Sequence, residues 1–548
     1  MAEFSRSDDL PGEPTSPWLA TTRDADREPN VDPAMLEGGW SVGGDGDVDI
    51  DVAVVGAGIA GLSTAIELRE RGETVVVLER DRVGAGTTGK STAKLTSQHG
   101  LVYDHLRREF GREAASRYAS LQEDAIDAVE DRIAAVDVDC GFERQPSYLY
   151  GNDPDELERE ADAARVAGLE ASSVTSVPPF ERAQAAVRFD DQAVFHPRAY
   201  LLALAAELRA DDDASVLEGT RVTDLEPGSP VRVRARVRTS GRTEDANTDP
   251  TGGTEATITA RRAVVATGYP ILDRAGYFAR MYPKRSYVLG LRLDGRTPQG
   301  MYYRTGENHR SVRVHRGEDG TLLLVGGENH KTGQGGSTRE RYRRLLRWAR
   351  ERFPVASVAY RWSTQDYVTA DRIPFVGRAG PTTDTVFVAT GFRGWGMTNG
   401  VAAGRLLAER IATPGSGPEE LELFDPLRFT PTASLGKTLT ENADAVSEFA
   451  TDWARTLFSP DRSAIERGEG RVLRRGRGGL EPIACARDAD GELHAVSAVC
   501  THMGCLLEWN DAEESWDCPC HGSRFAPDGE VLEGPATDDL SRREPPGT

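Results

Sequence analysis

Apolar positions along this chain come in short, sharply bounded runs. After a polar, acidic start, Val52-Ala53-Val54-Val55 is wholly apolar; glycines follow, then a helical stretch to Arg71 and a second apolar run from Thr74 to Leu78. Strand, glycine turn, helix and strand in that order predict a βαβ unit. Between about 100 and 280, helical patterns (Ala115 to Ala135, Ala199 to Leu208) mix with the alternating strand Val231 to Val237. Thr239 to Thr254 is polar and glycine-rich and predicts an inserted hairpin loop, and Val264-Val265-Ala266-Thr267-Gly268 predicts a buried strand stopped by glycine. Residues 285–365 alternate in strand fashion around one amphipathic helix, with Tyr342, Leu345, Leu346, Ala349 and Phe353 on one face and arginines around them. That stripe fits a surface helix against a sheet; a basic amphipathic helix can also dock on a membrane or an acidic partner. Ala412 to Glu420 reads as a linker, a helical segment lies near 440–457, and from Ile465 the chain is short strands and turns.

At 548 residues the chain is too long for one core and predicts about two to four domains. The formal charge of −22 argues against a nucleic-acid partner. No run approaches the roughly 20 apolar residues of a membrane span, and Met1 to Asp49 lacks the basic start and apolar middle of a secretory signal. A cytoplasmic location is therefore expected. Four of the six cysteines crowd into Cys500 to Cys520, which in such a compartment suggests a metal site before a disulfide scaffold.

Val55-Gly56-Ala57-Gly58-Ile59-Ala60-Gly61 is a G-x-G-x-x-G at the strand-to-helix turn, and Glu79 ends the next strand, with Arg80 beside it. That context makes a dinucleotide fingerprint; a glycine turn with no ligand is the alternative. Gly56 permits the tight turn, Gly58 lets the backbone approach a pyrophosphate, and Gly61 lets helix and strand pack. The pyrophosphate would sit on the positive helix end, and Glu79 would accept from ribose hydroxyls. Only one such fingerprint occurs, whereas enzymes passing hydride from NAD(P)H to flavin usually carry two.

Further segments extend the picture: Thr87-Thr88-Gly89-Lys90-Ser91-Thr92-Ala93-Lys94, Phe195-His196-Pro197, Ala263 to Gly268, Thr369 to Gly377, Val388-Ala389-Thr390-Gly391 and Gly394-Trp395-Gly396-Met397. Through them, residues from about 50 to 412 resemble the D-amino-acid-oxidase-like (DAO) flavoproteins. The resemblance implies FAD, with Ile59, Ala60, Thr88, Ser91, Thr92, Val222, Thr267, Gly268, Gly391, Gly394, Trp395, Gly396 and Met397 among its contacts. The helix after Gly394 to Met397 would direct N–H groups at the flavin's pyrimidine edge, where reduction places negative charge.

Cys500-Thr501-His502 and Cys518-Pro519-Cys520-His521 supply a C-x-H and a C-x-x-H pair on two separate loops. Mixed Cys₂His₂ ligation is the Rieske [2Fe–2S] arrangement. Zinc accepts the same donors, but a zinc finger presents its cysteines together and its histidines together. The boxes and their flanks, over about 465–540, resemble cytochrome bc-type Rieske proteins. That resemblance implies Cys500, His502, Cys518 and His521 as ligands, a Cys505–Cys520 disulfide, and Ser523 donating to a bridging sulfide. Phe525 stands where bc-type proteins carry a tyrosine, which predicts a potential in the middle or lower part of the range of roughly −150 to +300 mV. Cys140 and Cys485 read as buried, inert thiols.

The expected architecture is an α/β FAD-binding Rossmann-like fold of glutathione-reductase/DAO type, an α+β substrate domain and a C-terminal all-β Rieske domain. Residues 1–48 form a polar tail; 49–412 form the flavoprotein part, FAD-binding over about 49–100, 185–280 and 366–412, substrate-binding over 101–184 and 281–365. Residues 413–464 are a linker and 465–548 the Rieske domain. A flavin takes two electrons and a Rieske cluster carries one, so the pairing reads as a two-to-one-electron converter between a small amine or amino-acid reductant and an external one-electron acceptor. A protein reduced by NAD(P)H or by a partner, or a redox sensor, is the rival reading. Where amino-acid-oxidising relatives carry a carboxylate-gripping arginine, this chain reads Trp362-Ser363-Thr364-Gln365-Asp366. Asp366 therefore either faces an amine cation or is a structural acceptor. His330 is a candidate proton carrier at the flavin face, and His99 a candidate ring contact.

Overall fold

The computed structural model describes residues 10–26, 50–180, 183, 185–238, 253–272, 275–306, 309–413, 415, 418–428, 465–475 and 481–545. The inserted loop expected at 239–254 lies almost wholly outside these residues, as does the helix expected near 440–457. The strands flanking the loop, Val231–Arg238 and Gly253–Ala260, do pair as an antiparallel hairpin.

The predicted βαβ unit is the centre of a six-stranded sheet. Its spatial order is Phe375–Arg378, Val386–Thr390, Arg262–Gly268, Val52–Val55, Val75–Leu78 and Ala214–Leu217. All neighbours run parallel except Phe375–Arg378. Every residue of Val52–Val55 and Val75–Leu78 is buried. Helices cover one face of the sheet and the three-stranded sheet Thr220–Glu226, Val231–Arg238 and Gly253–Ala260 covers the other, so both side-chain directions meet apolar partners. The covering helices Ile59–Glu70 and Gly396–Ala412 pack so closely that a Cβ on Gly404 would press into the backbone of Ser63 and Thr64 at 2.7–2.8 Å.

A second, nine-stranded sheet contains Val355–Thr369, Met281–Leu293, Gly320–Lys331, Arg310–Gly317, Met301–Arg304, Glu143–Tyr150, Ala186–Val194 and Lys94–Leu95 in that order, with Ala171–Val174 paired beside Ala186–Val194. Two expected boundaries need correction. Ala186–Val194 belongs to this sheet rather than to the nucleotide-binding half, and Val355–Thr369 runs unbroken through the boundary at 366. Continuous edge-to-edge pairing, which composition does not reveal, joins these segments. The amphipathic helix, Thr338–Arg350, packs Tyr342, Leu345, Leu346 and Ala349 into the core of the same sheet.

The expectation of a polar tail over 1–48 is corrected for residues 10–26. Glu13 forms a bridge to the strand at Tyr360. Trp18 is fully buried and donates from Nε1 to Ser91 O (2.8 Å), and Ser16 Oγ donates to Gly89 O (2.5 Å). One large buried aromatic ring is enough to anchor an otherwise polar segment.

The C-terminal domain is all β: an antiparallel three-stranded sheet from Glu469–Arg475, Glu481–Arg487 and Leu493–Ser497, and a four-stranded one from Glu508–Asn510, Ser515–Asp517, Arg524–Phe525 and Val531–Glu533. It docks on the second sheet. Asp511 accepts from the backbone N–H of Thr338 (2.7 Å) and Arg339 (3.1 Å), capping a helix of the other domain. Among the described residues no helix is long and apolar enough to cross a membrane.

Candidate functional site

A cavity of about 710 Å³ is lined by residues of both large sheets and of the C-terminal domain. Gly56, Gly58, Ile59, Ala60, Glu79, Arg80, Thr88, Ser91, Thr92, Val222, Thr267, Gly268, Asp366, Gly391, Gly394, Trp395, Gly396 and Met397 all lie on its wall. Gly61 does not: a Cβ there would overlap the Gly56 carbonyl, so its part is to let helix and turn touch. The helices starting at Ile59 and Gly396 both open onto the cavity, and neither is capped by the side chain of its own N-cap residue, although Thr88 Oγ1 accepts from Ile59 N–H (3.1 Å). Glu79 accepts from Ala57 N–H (2.8 Å) and Asp81 N–H (2.9 Å). Burial, reinforced by Asp81, pushes its carboxyl upward.

One end of the cavity is richly polar. Lys284 and Asp366 face each other across paired strands. Burial pushes Asp366 up to about 6, against the opposing effects of the Gly394 N–H and Lys284. Burial also lowers Lys284, and Asp366 partly restores it. Asn329, with its amide turned to suit its neighbours, offers Oδ1 to Lys284 Nζ (3.0 Å) and Nδ2 to His309 Nε2 (2.5 Å). Tyr303, His309, Arg393 and Trp395 complete this end. Burial lowers His309 to about 3, so its ring is neutral near pH 7.

Two sequence candidates lie elsewhere. His330 is not on the cavity wall: its Nε2 meets Tyr287 Oη (2.9 Å) and its Nδ1 meets Gln334 O (2.6 Å). An irregularity in the strand at Glu328, where φ is +56°, leaves Asn329 on the cavity wall and its neighbour His330 off it. His99 is likewise behind the wall. It stacks on Trp395 (ring centroids 5.0 Å apart) and contacts Tyr118 Oη (2.6 Å) and Thr398 Oγ1 (3.1 Å), so it positions the cavity's tryptophan. Lys284, Asn329, His309 and Arg393 were missed as site residues; strand pairing and loop packing between segments far apart in sequence bring them together, and only Arg393, directly before Gly394, stood next to a motif.

The two cysteine–histidine loops meet at the edge of the C-terminal domain nearest the cavity. Cys505 and Cys520 form a disulfide, while Cys500 and Cys518 are free and buried. Cys518 hydrogen-bonds Cys500 and thereby lowers the Cys500 thiol to about 7. The sulfurs of Cys505, Cys518 and Cys520 also crowd together, but the disulfide leaves only Cys518 of these three as a thiol. The rings of His502 and His521 stand 5.0 Å apart at 88°, and His521 Nδ1 is buried without a hydrogen-bond partner. Ser523 Oγ accepts from Ala536 N–H (3.0 Å) and also bonds Cys500. Cys140 and Cys485 are buried in core clusters separate from the one that holds Cys500 and Cys518, and burial pushes both thiols up to about 11.

Residues 51–410 match the family model described as FAD dependent oxidoreductase (DAO), and residues 462–543 match that of the Rieske [2Fe-2S] domain. A Bacillus subtilis (strain 168) chain named as a Rieske 2Fe-2S iron–sulfur protein, YhfW, is 36% identical over 90% of this chain and 94% of its own length. The protein belongs to the DAO family of FAD-dependent oxidoreductases and ends in a Rieske domain. Gamma-glutamylputrescine oxidoreductase of Escherichia coli (strain K12) is 24% identical over 66% of this chain and 84% of its own. The solved L-proline dehydrogenase from P. horikoshii shares the fold, with a TM-score of 0.55 and 19% identity over 70% of this chain and 99% of that one.

This DAO–Rieske protein uses FAD and a [2Fe–2S] cluster, and its residues fit both. Two helix N-termini that open on the cavity and a glycine cradle suit a pyrophosphate and an electron-rich ring. Two neighbouring thiols and two imidazoles, one with an orphaned buried Nδ1, suit a Rieske cluster. Because a Cβ on Gly61 has nowhere to go, Gly61→Val is expected to separate the first helix from its strand. Purified protein should then retain less than about a tenth of the wild-type flavin by absorbance, a loss worth at least about 1.4 kcal/mol of binding.

Proposed function

We propose that this protein oxidises a small amine or amino acid and delivers the electrons singly to an external acceptor. The observation that carries this reading is that one cavity wall bears the Lys284–Asp366 pair while another is shared with the cysteine–histidine domain. When bound, FAD accepts two electrons as hydride and the [2Fe–2S] cluster carries one. Gly56, Gly58 and the first helix end would hold the pyrophosphate, Glu79 the ribose, and the helix at Gly396 the electron-rich edge of the ring. Cys500, His502, Cys518 and His521 would hold the cluster. The relative named gamma-glutamylputrescine oxidoreductase supports the substrate class.

Asp366 holds the substrate's ammonium group in this reading. Lys284 and Arg393, which the sequence pattern did not point to, suit a carboxylate where the substrate has one. An amino acid carries both charges and so fits both. Below about pH 6 the Asp366 carboxyl is neutral and offers no charge to an ammonium; above it, the carboxylate does. The KM for the donor should therefore fall as pH rises through about 6, and Asp366→Asn should remove that dependence and raise KM about tenfold or more. An unchanged donor profile in Asp366→Asn would sink the role.

The direct test is anaerobic titration of holoprotein with amines and amino acids, following flavin absorbance and the low-temperature EPR of the reduced cluster. A donor that bleaches the flavin and then brings up the cluster signal supports the reading. A cluster that dithionite reduces, beside a flavin no donor bleaches, overturns it.

A further inference from the structure

We infer that Tyr269 is the side chain that couples the flavin cavity to the [2Fe–2S] loops for electron transfer. The inference rests on the proposed path from flavin to cluster and names the residue through which it runs. Tyr269 directly follows Thr267-Gly268 at the end of a central strand, and Gly268 turns the chain there with a φ of +82°. The ring is 2% exposed. Tyr269 lies on the cavity wall, and its ring centroid stands 6.1 Å from that of His502 and 6.1 Å from that of His521. Among the described residues, two rings of the flavoprotein half approach His521, those of Tyr269 and Phe278, and of these two Tyr269 lines the cavity.

The surroundings fix the ring in place. Tyr367 packs edge-on against it at 5.2 Å and donates from Oη to Gly534 O (3.2 Å). Gln365 Nε2 reaches both Tyr367 Oη (2.9 Å) and Gly522 O (2.9 Å), the carbonyl next to His521. A glycine is required at 522, where a Cβ would run into Gln365 and Pro283 at 2.6 Å. The partition between cavity and ligand loops is thus packed and hydrogen-bonded. Tunnelling weakens steeply across empty space, so a filled partition matters.

Each transfer moves one electron from reduced flavin to the cluster, turning one ferric iron ferrous. The second follows once the external one-electron acceptor has reoxidised the cluster, and the flavin's protons leave to solvent. Tyr269 is neither oxidised nor deprotonated in this scheme; its ring supplies the contact.

The test uses full-length holoprotein with the flavin photoreduced anaerobically, which bypasses the substrate, and cluster reduction followed by absorbance and freeze-quench EPR. Tyr269→Ala and Tyr269→Leu are expected to slow cluster reduction by roughly tenfold or more, and Tyr269→Phe to stay within about twofold of wild type. Flavin content, the cluster's EPR g values and both midpoint potentials should be unchanged. Wild-type rates in the Ala and Leu variants overturn the assignment. So does a slowed rate accompanied by flavin loss or shifted potentials, which marks a structural role, and so does a Phe variant as slow as Ala. A wild-type cluster that stays oxidised beside reduced flavin overturns the flavin-to-cluster path itself, and this inference with it.

Discussion

Arg285→Met is expected to destabilise the joint between the flavoprotein half and the Rieske domain by about 3–5 kcal/mol, the usual cost of leaving buried charges without their partner. Arg285 is 0% exposed and pairs across the joint with Glu533 (2.9 Å) and Glu513 (3.3 Å), with Asp517 at 3.9 Å. Arg524 engages the same three acids from the Rieske side. Two arginines, with Lys90 3.6 Å from Glu533, thus hold three carboxylates, and removing Arg285 leaves the three acids with Arg524 and the more distant Lys90. Burial alone would raise the Glu533 carboxyl, but Arg524 and Arg285 outweigh it and hold that carboxyl well below the usual range. The same forces lower Glu513. A carboxyl depressed in the folded state contributes stability that is complete above its unfolded value, near 4.3. That stability fades as pH falls from there toward the folded value. In Arg285→Met the depression shrinks, so the stability maximum at neutral pH should flatten and acid unfolding should begin at higher pH. Thermal unfolding of holoprotein across the acid range reads both effects. A melting temperature and acid limb equal to wild type would show that the network carries no net stability.

The second large effect concerns the cluster. Cys518→Ser should lower bound iron to near background and abolish the reduced-cluster EPR signal, because a serine hydroxyl is not a thiolate donor and ligand bonds supply folding energy as well as redox chemistry. Flavin should stay bound at a reduced level, since Glu533 and its neighbours, carried by the Rieske domain, form part of the cavity wall. Cys485→Ser is the control: that thiol is buried in a core cluster separate from that of the ligand loops, and iron content should match wild type. Iron analysis and EPR on both variants distinguish the outcomes, and a full Rieske signal in Cys518→Ser would remove that residue from the ligand set.

Much of the site was legible because its chemistry is local. The G-x-G-x-x-G turn needs strand, glycines and helix within one short stretch, so Gly56, Gly58 and Glu79 could be read directly and meet in one cavity. The cysteine–histidine boxes are equally compact. The misses came from longer range. His330 drew attention as a histidine at a strand end, yet Glu328, with a φ of +56°, breaks the regular strand just before it and Asn329 takes the cavity face. Trp18 lies in a stretch whose average polarity hides one anchoring ring.

Local order of residues determined the two cofactor-binding halves, the helix ends that suit an anion and the four candidate cluster ligands, because each depends on neighbours a few residues apart. Tertiary structure alone decided what joins them. Lys284 meets Asp366, Arg285 meets Glu533 and Tyr269 meets His521 only because strand register and domain docking bring together residues from distant parts of the chain. Such pairings follow from the packing of whole sheets, and no short window of sequence contains both partners.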